Sequence, residues 1–194
     1  DGVLEAAAFA PACPQLDKDS GEYEGDEDCL ALNVWTPAPL PAAAADRPVL
    51  FFVHGGGNVA GSTSEQLAGG TTTYGGEALA ARGDAVVITA AYRLGPRGWL
   101  VHDALDAESP DGASGNYGLR DLVLALEWVR DNVAVFGGDP DRVLLFGESA
   151  GALNTCALVS SPAAAGLFSA ALMESGGCVA DARDDAEADA AELL

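Results

Sequence analysis

Five residues, Gly147-Glu148-Ser149-Ala150-Gly151, restrict what this chain can fold into more than any other stretch. Arg142-Val143-Leu144-Leu145-Phe146 before them reads as a short buried strand, and the Ala- and Leu-rich run from Ala150 to Val159 reads as a helix. Small residues at both ends of the pentapeptide suit a sharp strand-to-helix turn, where side chains would clash and glycine tolerates unusual backbone angles. Such a turn lifts the Ser149 hydroxyl above the sheet at a helix start, where unpaired N–H groups stabilise negative charge. This is the G-x-S-x-G nucleophile elbow. A serine that merely caps a helix is the plainer alternative for the bare pentapeptide. The strand before it and the helix after it favour the nucleophile.

The rest of the chain supplies a sheet for that turn. Leu30-Ala31-Leu32-Asn33-Val34-Trp35 alternates and stops before Pro37, which predicts a strand. Residues 1 to 28 read as irregular, and 37 to 48, with four prolines and an alanine run, as a connection. Val49-Leu50-Phe51-Phe52-Val53 and Ala85-Val86-Val87-Ile88-Thr89 are continuous apolar runs of the kind central strands need. A long Gly/Ser/Thr loop follows the first, then a short helix from Glu77 to Arg82. Tyr92 to Pro96 reads as a turn and 102 to 116 as a polar loop. Leu119, Leu122, Val123, Leu126, Val129 and Val133 put one apolar face on a helix from Leu119 to Phe136, stopped by Gly137-Gly138. Asp139-Pro140-Asp141 turns the chain into the strand before the elbow; a last strand covers Leu167 to Met173 and a helix starts after Asp181. Buried strands alternating with helices predict an α/β fold, a mostly parallel sheet with helices on its faces. No repeat and no domain linker is visible, so the 194 residues read as one unit.

Charge narrows the partners. Thirty acidic residues against nine basic ones leave a net charge of −21. Such a surface repels a nucleic-acid duplex or an anionic membrane. No apolar run approaches the ~20 residues of a membrane span. No cysteine spacing matches a zinc site, and no metal or cofactor is expected. Cys13 and Cys29 bracket an acidic loop of fifteen residues. A bridge there would contribute about 3 kcal/mol in the chain-entropy model and imply an exported protein. Two reduced, buried thiols in a cytosolic chain are the alternative.

Hydrolysing an ester takes a nucleophile, a base for its proton and donors for the oxyanion. Ser149 is the candidate nucleophile. His54-Gly55-Gly56-Gly57, directly after a buried strand, supplies bare backbone N–H groups; Gly56 and Gly57 with Ala150 would make a three-donor hole.

These motifs resemble, in order, those of the type B carboxylesterases, the cholinesterase-like branch of the α/β-hydrolases. Glu27-Asp28-Cys29-Leu30-Ala31-Leu32-Asn33-Val34 resembles one family signature and Phe146 to Gly151 the other. Between them lie His54 to Gly57, Tyr92 to Pro96, Gly115 to Asp121 and Phe136 to Pro140. The resemblance covers the chain from Cys13 to Gly177. It implies an α/β-hydrolase fold, Ser149 as the acylated nucleophile, an oxyanion hole from Gly56, Gly57 and Ala150, and His54 and Gly55 as support for that loop. It also implies a Cys13–Cys29 disulfide, hence a secreted or periplasmic protein, and a structural Arg93–Asp121 ion pair. Glu148 is implied to be a buried scaffold residue, not the triad acid. Three positions depart from the pattern: Asn58 for an aromatic residue, Leu122 for glutamine and Ala152 for glycine.

In the family the triad acid and histidine follow the nucleophile. Here both histidines, His54 and His102, precede Ser149. His102 reads as a surface residue. Residues 1–194 are therefore expected to be the N-terminal part of a single α/β-hydrolase domain, incomplete at the C-terminus. Its partners would be a small-molecule ester and the missing C-terminal part of the same domain. Cys178 is expected to pair beyond Leu194, and Cys156 to be a buried free thiol. The competing functional reading is a non-catalytic cholinesterase-like binding or adhesion domain; such domains commonly lose the elbow serine, which this chain keeps. A fragment that works only with a partner chain is the third.

Overall fold

The computed structural model describes residues 5–17, 20–38, 46–66, 70–180 and 182–193. Most of the proline-rich connection and the middle of the Gly/Ser/Thr loop lie outside the described residues. The chain opens with a small antiparallel hairpin of β1 (Gln15–Leu16) and β2 (Tyr23–Glu24). Then follow β3 (Leu32–Trp35), β4 (Arg47–Val53), α1 (Glu77–Gly83), β5 (Val86–Ala90), α2 (Gly95–Trp99), α3 (Asp103–Glu108) and α4 (Tyr117–Asn132). The last elements are β6 (Gly138–Glu148), α5 (Ala150–Ser160), β7 (Ala170–Glu174) and α6 (Arg183–Leu193).

Five strands form one sheet in the order β3-β5-β4-β6-β7. β3 runs antiparallel to β5; the other neighbours are parallel. The parallel centre has the register Phe51 beside Ile88 and Leu145, which stacks the three apolar runs. Val49, Phe51, Val53, Val86, Ile88, Val143 and Leu145 point to one face and are buried. They pack with Leu122, Leu126 and Val129 of α4, Val133 after it, and Leu158 of α5 in one core. At about 25 cal/mol per Å2 of apolar area, burying side chains of this size is the largest favourable contribution to folding. On the other face the Phe52 ring packs at a tilt against those of Tyr74 and Phe146, centroids 4.9 and 5.0 Å away, and α1 docks where Gly76 leaves room for Trp35 and Val87. Helices thus stand on both faces, but α4 and α5 seal only one of them.

Several elements differ from the sequence expectation. The polar stretch 102 to 116 contains α3, capped by the His102 ring, whose Nδ1 accepts from the Ala104 N–H at 3.1 Å. A polar six-residue helix has no apolar periodicity to announce it. β6 starts at Gly138, ahead of Pro140, because a shift in register between Arg47 and Val49 absorbs the Asp139-Pro140-Asp141 segment at the strand's start. β7 covers Ala170–Glu174, and Leu167 belongs to the turn before it.

The cysteines require a correction. Cys156 is not a free thiol, and Cys178 does not wait for a partner beyond Leu194: the two are bonded, with Cα atoms 5.4 Å apart. β7 lies parallel beside β6, so the chain leaving it passes the side of α5 and delivers Cys178 to Cys156. Cys13 and Cys29 are bonded as well, Cα atoms 4.9 Å apart, and both are buried. Two disulfides are compatible with an oxidising compartment. Among the described residues no helix is long and apolar enough to cross a membrane.

Candidate active site

The turn between β6 and α5 is built by backbone contacts that admit no Cβ. A Cβ on Gly147 would clash with the Gly151 carbonyl, and one on Gly151 with the Val53 carbonyl at the end of β4. Glycine at both positions lets β4, β6 and α5 meet. Ser149 between them has φ +55° and ψ −119°, a strained conformation for a residue with a side chain. Its N–H donates to the Glu174 carbonyl on β7 at 2.9 Å, and its carbonyl accepts from Ala152 and Leu153. Ser149 is half-buried, and its hydroxyl has no hydrogen-bond partner among the described residues.

The glycine run after β4 lies against this turn. A Cβ on Gly55 would stand 2.9 Å from the Glu148 carbonyl and 3.1 Å from the Ser149 Cβ. Gly56 (φ +108°) and Gly57 (φ +65°) are left-handed, and the Gly56 carbonyl accepts from the Val59 and Ala60 N–H groups. The N–H groups of Gly56, Gly57 and Ala150 donate to no acceptor among the described residues. Three unpaired donors therefore flank one serine, two from the loop and one from the helix start.

His54 anchors the loop from below. Its ring is 2 % exposed and stacks on Tyr92 at 4.4 Å, and its Nδ1 donates to the Gly55 carbonyl at 2.8 Å. Burial lowers its pKa to about 4, against the smaller raising effect of the Gly55 hydrogen bond. At neutral pH the ring is uncharged, with Nδ1 carrying the proton. The Tyr92 hydroxyl donates to the His54 carbonyl at 2.9 Å. Among the described hydrogen bonds neither the His54 nor the His102 ring reaches Ser149.

Arg93 and Asp121 lie at the junction of the segment after β5 with α4. Arg93 Nε and Nη2 donate to the two carboxylate oxygens at 2.8 and 2.7 Å, and the Arg93 N–H adds a third bond at 3.0 Å. Hydrogen bonding to Asp121 holds the Arg93 pKa above its ordinary value. The Trp99 indole donates to the Arg93 carbonyl and the Tyr117 ring faces the guanidinium, so this cluster braces the start of α4.

Three supporting residues escape a reading of the sequence. Gln15 is buried and clasps Gly61 through both its N–H and its carbonyl, tying the first hairpin to the far end of the glycine loop. Nothing in the hairpin's sequence marks it. Tyr92 is the second. Asn154 is the third: it stands buried on α5 and bonds Asn58. An amide in the middle of an Ala- and Leu-rich helix is the one sequence signal that points to it, and it does not say which residue the amide meets. Two clefts of about 350 and 240 Å3 open elsewhere, beside His102 and beside Trp128, and no elbow or loop residue lines either.

The family model of the carboxylesterase family matches residues 1–192. The chain belongs to the carboxylesterase family. It is 43% identical over 179 residues to the fumonisin B1 esterase of Sphingopyxis macrogoltabida, covering 91% of this chain and 32% of that protein. It is 41% identical over 199 residues to the para-nitrobenzyl esterase of Bacillus subtilis (strain 168), covering 100% of this chain and 38% of the relative. The crystal structure of the Geobacillus stearothermophilus carboxylesterase EST55 at pH 6.2 superposes with a TM-score of 0.85 at 41% identity, over 100% of this chain and 38% of that one. The chain thus spans about a third of the length of the curated relatives it matches. Its fold is that of the α/β-hydrolase carboxylesterases, with a mixed, mostly parallel sheet.

Proposed function

We propose that this carboxylesterase-family chain carries the nucleophile and oxyanion hole of a serine carboxylic-ester hydrolase. One observation carries the reading. A serine held at positive φ, with a free hydroxyl, stands against a glycine loop and a helix start that together offer three unpaired N–H groups. Ser149 Oγ attacks the ester carbonyl, and the oxygen takes up negative charge facing Gly56, Gly57 and Ala150. Each such donor supplies about 3 kcal/mol to the transition state. The alcohol leaves, and water releases the acid from the acyl-enzyme. No metal or cofactor enters these steps.

The base is neither histidine of these 194 residues. His54 is locked under the loop and His102 caps α3. The proton acceptor and its acid come from the remainder of the same α/β-hydrolase domain, of which residues 1–194 form the N-terminal part. β7 is the place for that remainder to join: among the described residues it pairs only with β6, and Leu172 and Met173 stand 45 % and 37 % exposed. The two disulfides support a secreted or periplasmic location.

The test uses the protein from its complete reading frame and an aryl ester, whose phenol is a good leaving group in acyl transfer to a serine. Turnover, covalent labelling of Ser149 by a fluorophosphonate, and a loss of about 10^4-fold or more in kcat for Ser149→Ala are expected. Turnover that survives Ser149→Ala refutes the assignment of the nucleophile. Neither turnover nor labelling favours a binding or adhesion domain. Residues 1–194 alone are expected not to turn the ester over at an enzyme-like rate; if they do, and Ser149→Ala abolishes it, the base lies within them after all.

A further inference from the structure

The donors flanking Ser149 come from two separate elements, the loop after β4 and the first turn of α5. Their spacing has to be held, because misplacing one part of such a hole by an ångström costs rate without preventing folding. Gly55 fixes one side of the loop against the elbow. Beyond the glycines the chain turns at Asn58, a left-handed residue with φ +59° that follows Gly57 directly. Its side chain reaches back to Asn154. Asn154 Nδ2 donates to Asn58 Oδ1 at 2.8 Å, and Asn58 Nδ2 donates to Asn154 Oδ1 at 3.3 Å. Asn154 is four residues after Ala150 on α5, one turn along the same face. Its side chain is 2 % exposed, and a buried amide left unpaired would be costly. The Asn58 carbonyl in turn accepts from the Gly95 N–H at 2.7 Å, which pins the loop from the side of α2.

We propose that Asn58 and Asn154 are positioning residues, and that their paired amides set the distance between the loop half and the helix half of the oxyanion hole. The inference rests on Ser149 being the nucleophile. An amide pair suits this task because each partner gives one donor and one acceptor, so both bonds form in a single relative orientation. Among the described residues the two side-chain amides hydrogen-bond to neither Ser149 nor the three N–H groups; they act through the two segments that carry them.

The test is a double-mutant cycle in the complete protein with an aryl ester, using Asn58→Gly, Asn154→Ala and the two together. Glycine keeps the left-handed turn free of strain and removes only the amide. A fall of about tenfold in kcat with KM within about twofold is expected for each single variant. The double variant is expected to be no slower than the worse single one, because the two residues act as one pair. Asn58→Asp, of the same size and equally tolerant of this backbone, loses one of the two bonds and is expected to slow kcat as well. Thermal unfolding accompanies each variant. If Asn154→Ala fails to fold, the two Asn58 variants at a half-exposed position decide alone. Wild-type kcat in Asn58→Gly, a rise in KM without a change in kcat, or losses that add in the double variant overturn the proposal. Ser149→Ala run alongside separates the two claims. Turnover that survives it overturns the nucleophile and this inference together; loss of turnover there with wild-type kcat in the Asn58 variants overturns this inference alone.

Discussion

The chain is held in two different ways on the two sides of Ser149. On the β4 side, where β4, β6 and α5 meet, backbone lies on backbone and the gaps are sized for glycine: Gly147, Gly151 and Gly55 all face a neighbour that a Cβ would strike. On the β7 side Leu172, Met173 and Val179 are exposed; there a single close glycine, Gly176, meets the Ser149 carbonyl and Ala152, and a covalent bond from Cys156 to Cys178 ties the segment just after it to α5. The site proposed above, which would have to place a serine and three donors to within fractions of an ångström, gains that precision from close packing, which resists continuous deformation. A disulfide instead acts mainly by restricting the unfolded chain. Cutting into the first region should therefore damage the native structure itself, and cutting into the second should lower stability while leaving the elbow in place.

The sharpest way to break this contrast is a single methyl group placed in each region. Gly151→Ala drives a Cβ into the Val53 carbonyl and to 2.8 Å from the His54 carbonyl, both backbone atoms that cannot swing aside. A loss of about 4 kcal/mol or more is expected, a large fraction of the roughly 5–15 kcal/mol that holds a domain together. Gly177→Ala meets nothing within 4 Å, and its glycine is not at positive φ. It should be neutral or slightly stabilising, by up to about 1 kcal/mol, through the unfolded state. Urea unfolding of the two variants checks the pair. Equal losses would mean that the glycine contacts do not set the difference between the regions.

A smaller effect comes from the disulfide. Cys178→Ala opens a loop closed over a sequence separation of 22 and is expected to cost about 3 kcal/mol. Hydrogen exchange then tells where the loss falls. Amides from 175 to 180 should exchange faster while those of Phe51, Val53 and Leu145 keep their protection. The Ser149 amide is the informative one, because it donates to Glu174 on β7. If it loses protection together with 175 to 180, the elbow belongs to the second region and the contrast fails.

How much of this was legible follows the same physics. The three central strands were, because parallel strands buried at the centre of a sheet need unbroken apolar runs, and Val49 to Val53 and Val86 to Ile88 are such runs. The strain and crowding around Ser149 were legible too, since only glycine satisfies contacts of that kind. The order of the strands was not: nothing local states that β3 lies antiparallel beside β5. Nor was the Cys156–Cys178 bond, because the distance between those residues is created by β7 crossing beside β6 and not by the residues between them. α3 was hidden by its polarity. Gln15 and Asn154 work through hydrogen bonds to residues 46 and 96 positions away, which no periodicity encodes.

The smallest of the three effects tests whether the close-packed region is also sealed from protons. His54 lies under the glycine loop with its pKa lowered to about 4 by burial, whereas in the unfolded chain it titrates near the ordinary value of 6.5. Between those values the unfolded state binds the proton and the native state does not. Stability contributed by the neutral ring is thus fully present above about pH 6.5 and is lost as the pH falls toward 4. From pH 7 to pH 5 the loss from this one group is about 2 kcal/mol. Carboxylates also titrate toward the acid end, so the measurement is a difference: unfolding free energy against pH for the parent chain and for His54→Gln. The variant, lower in stability throughout, should follow a flatter line between pH 7 and pH 5, and the two should converge as the pH falls. Parallel lines would mean that water reaches His54 and protonates it without cost. The packing beneath the glycine loop would then be looser than that around Gly151, and the boundary between the two regions would run through the glycine loop rather than between Ser149 and β7.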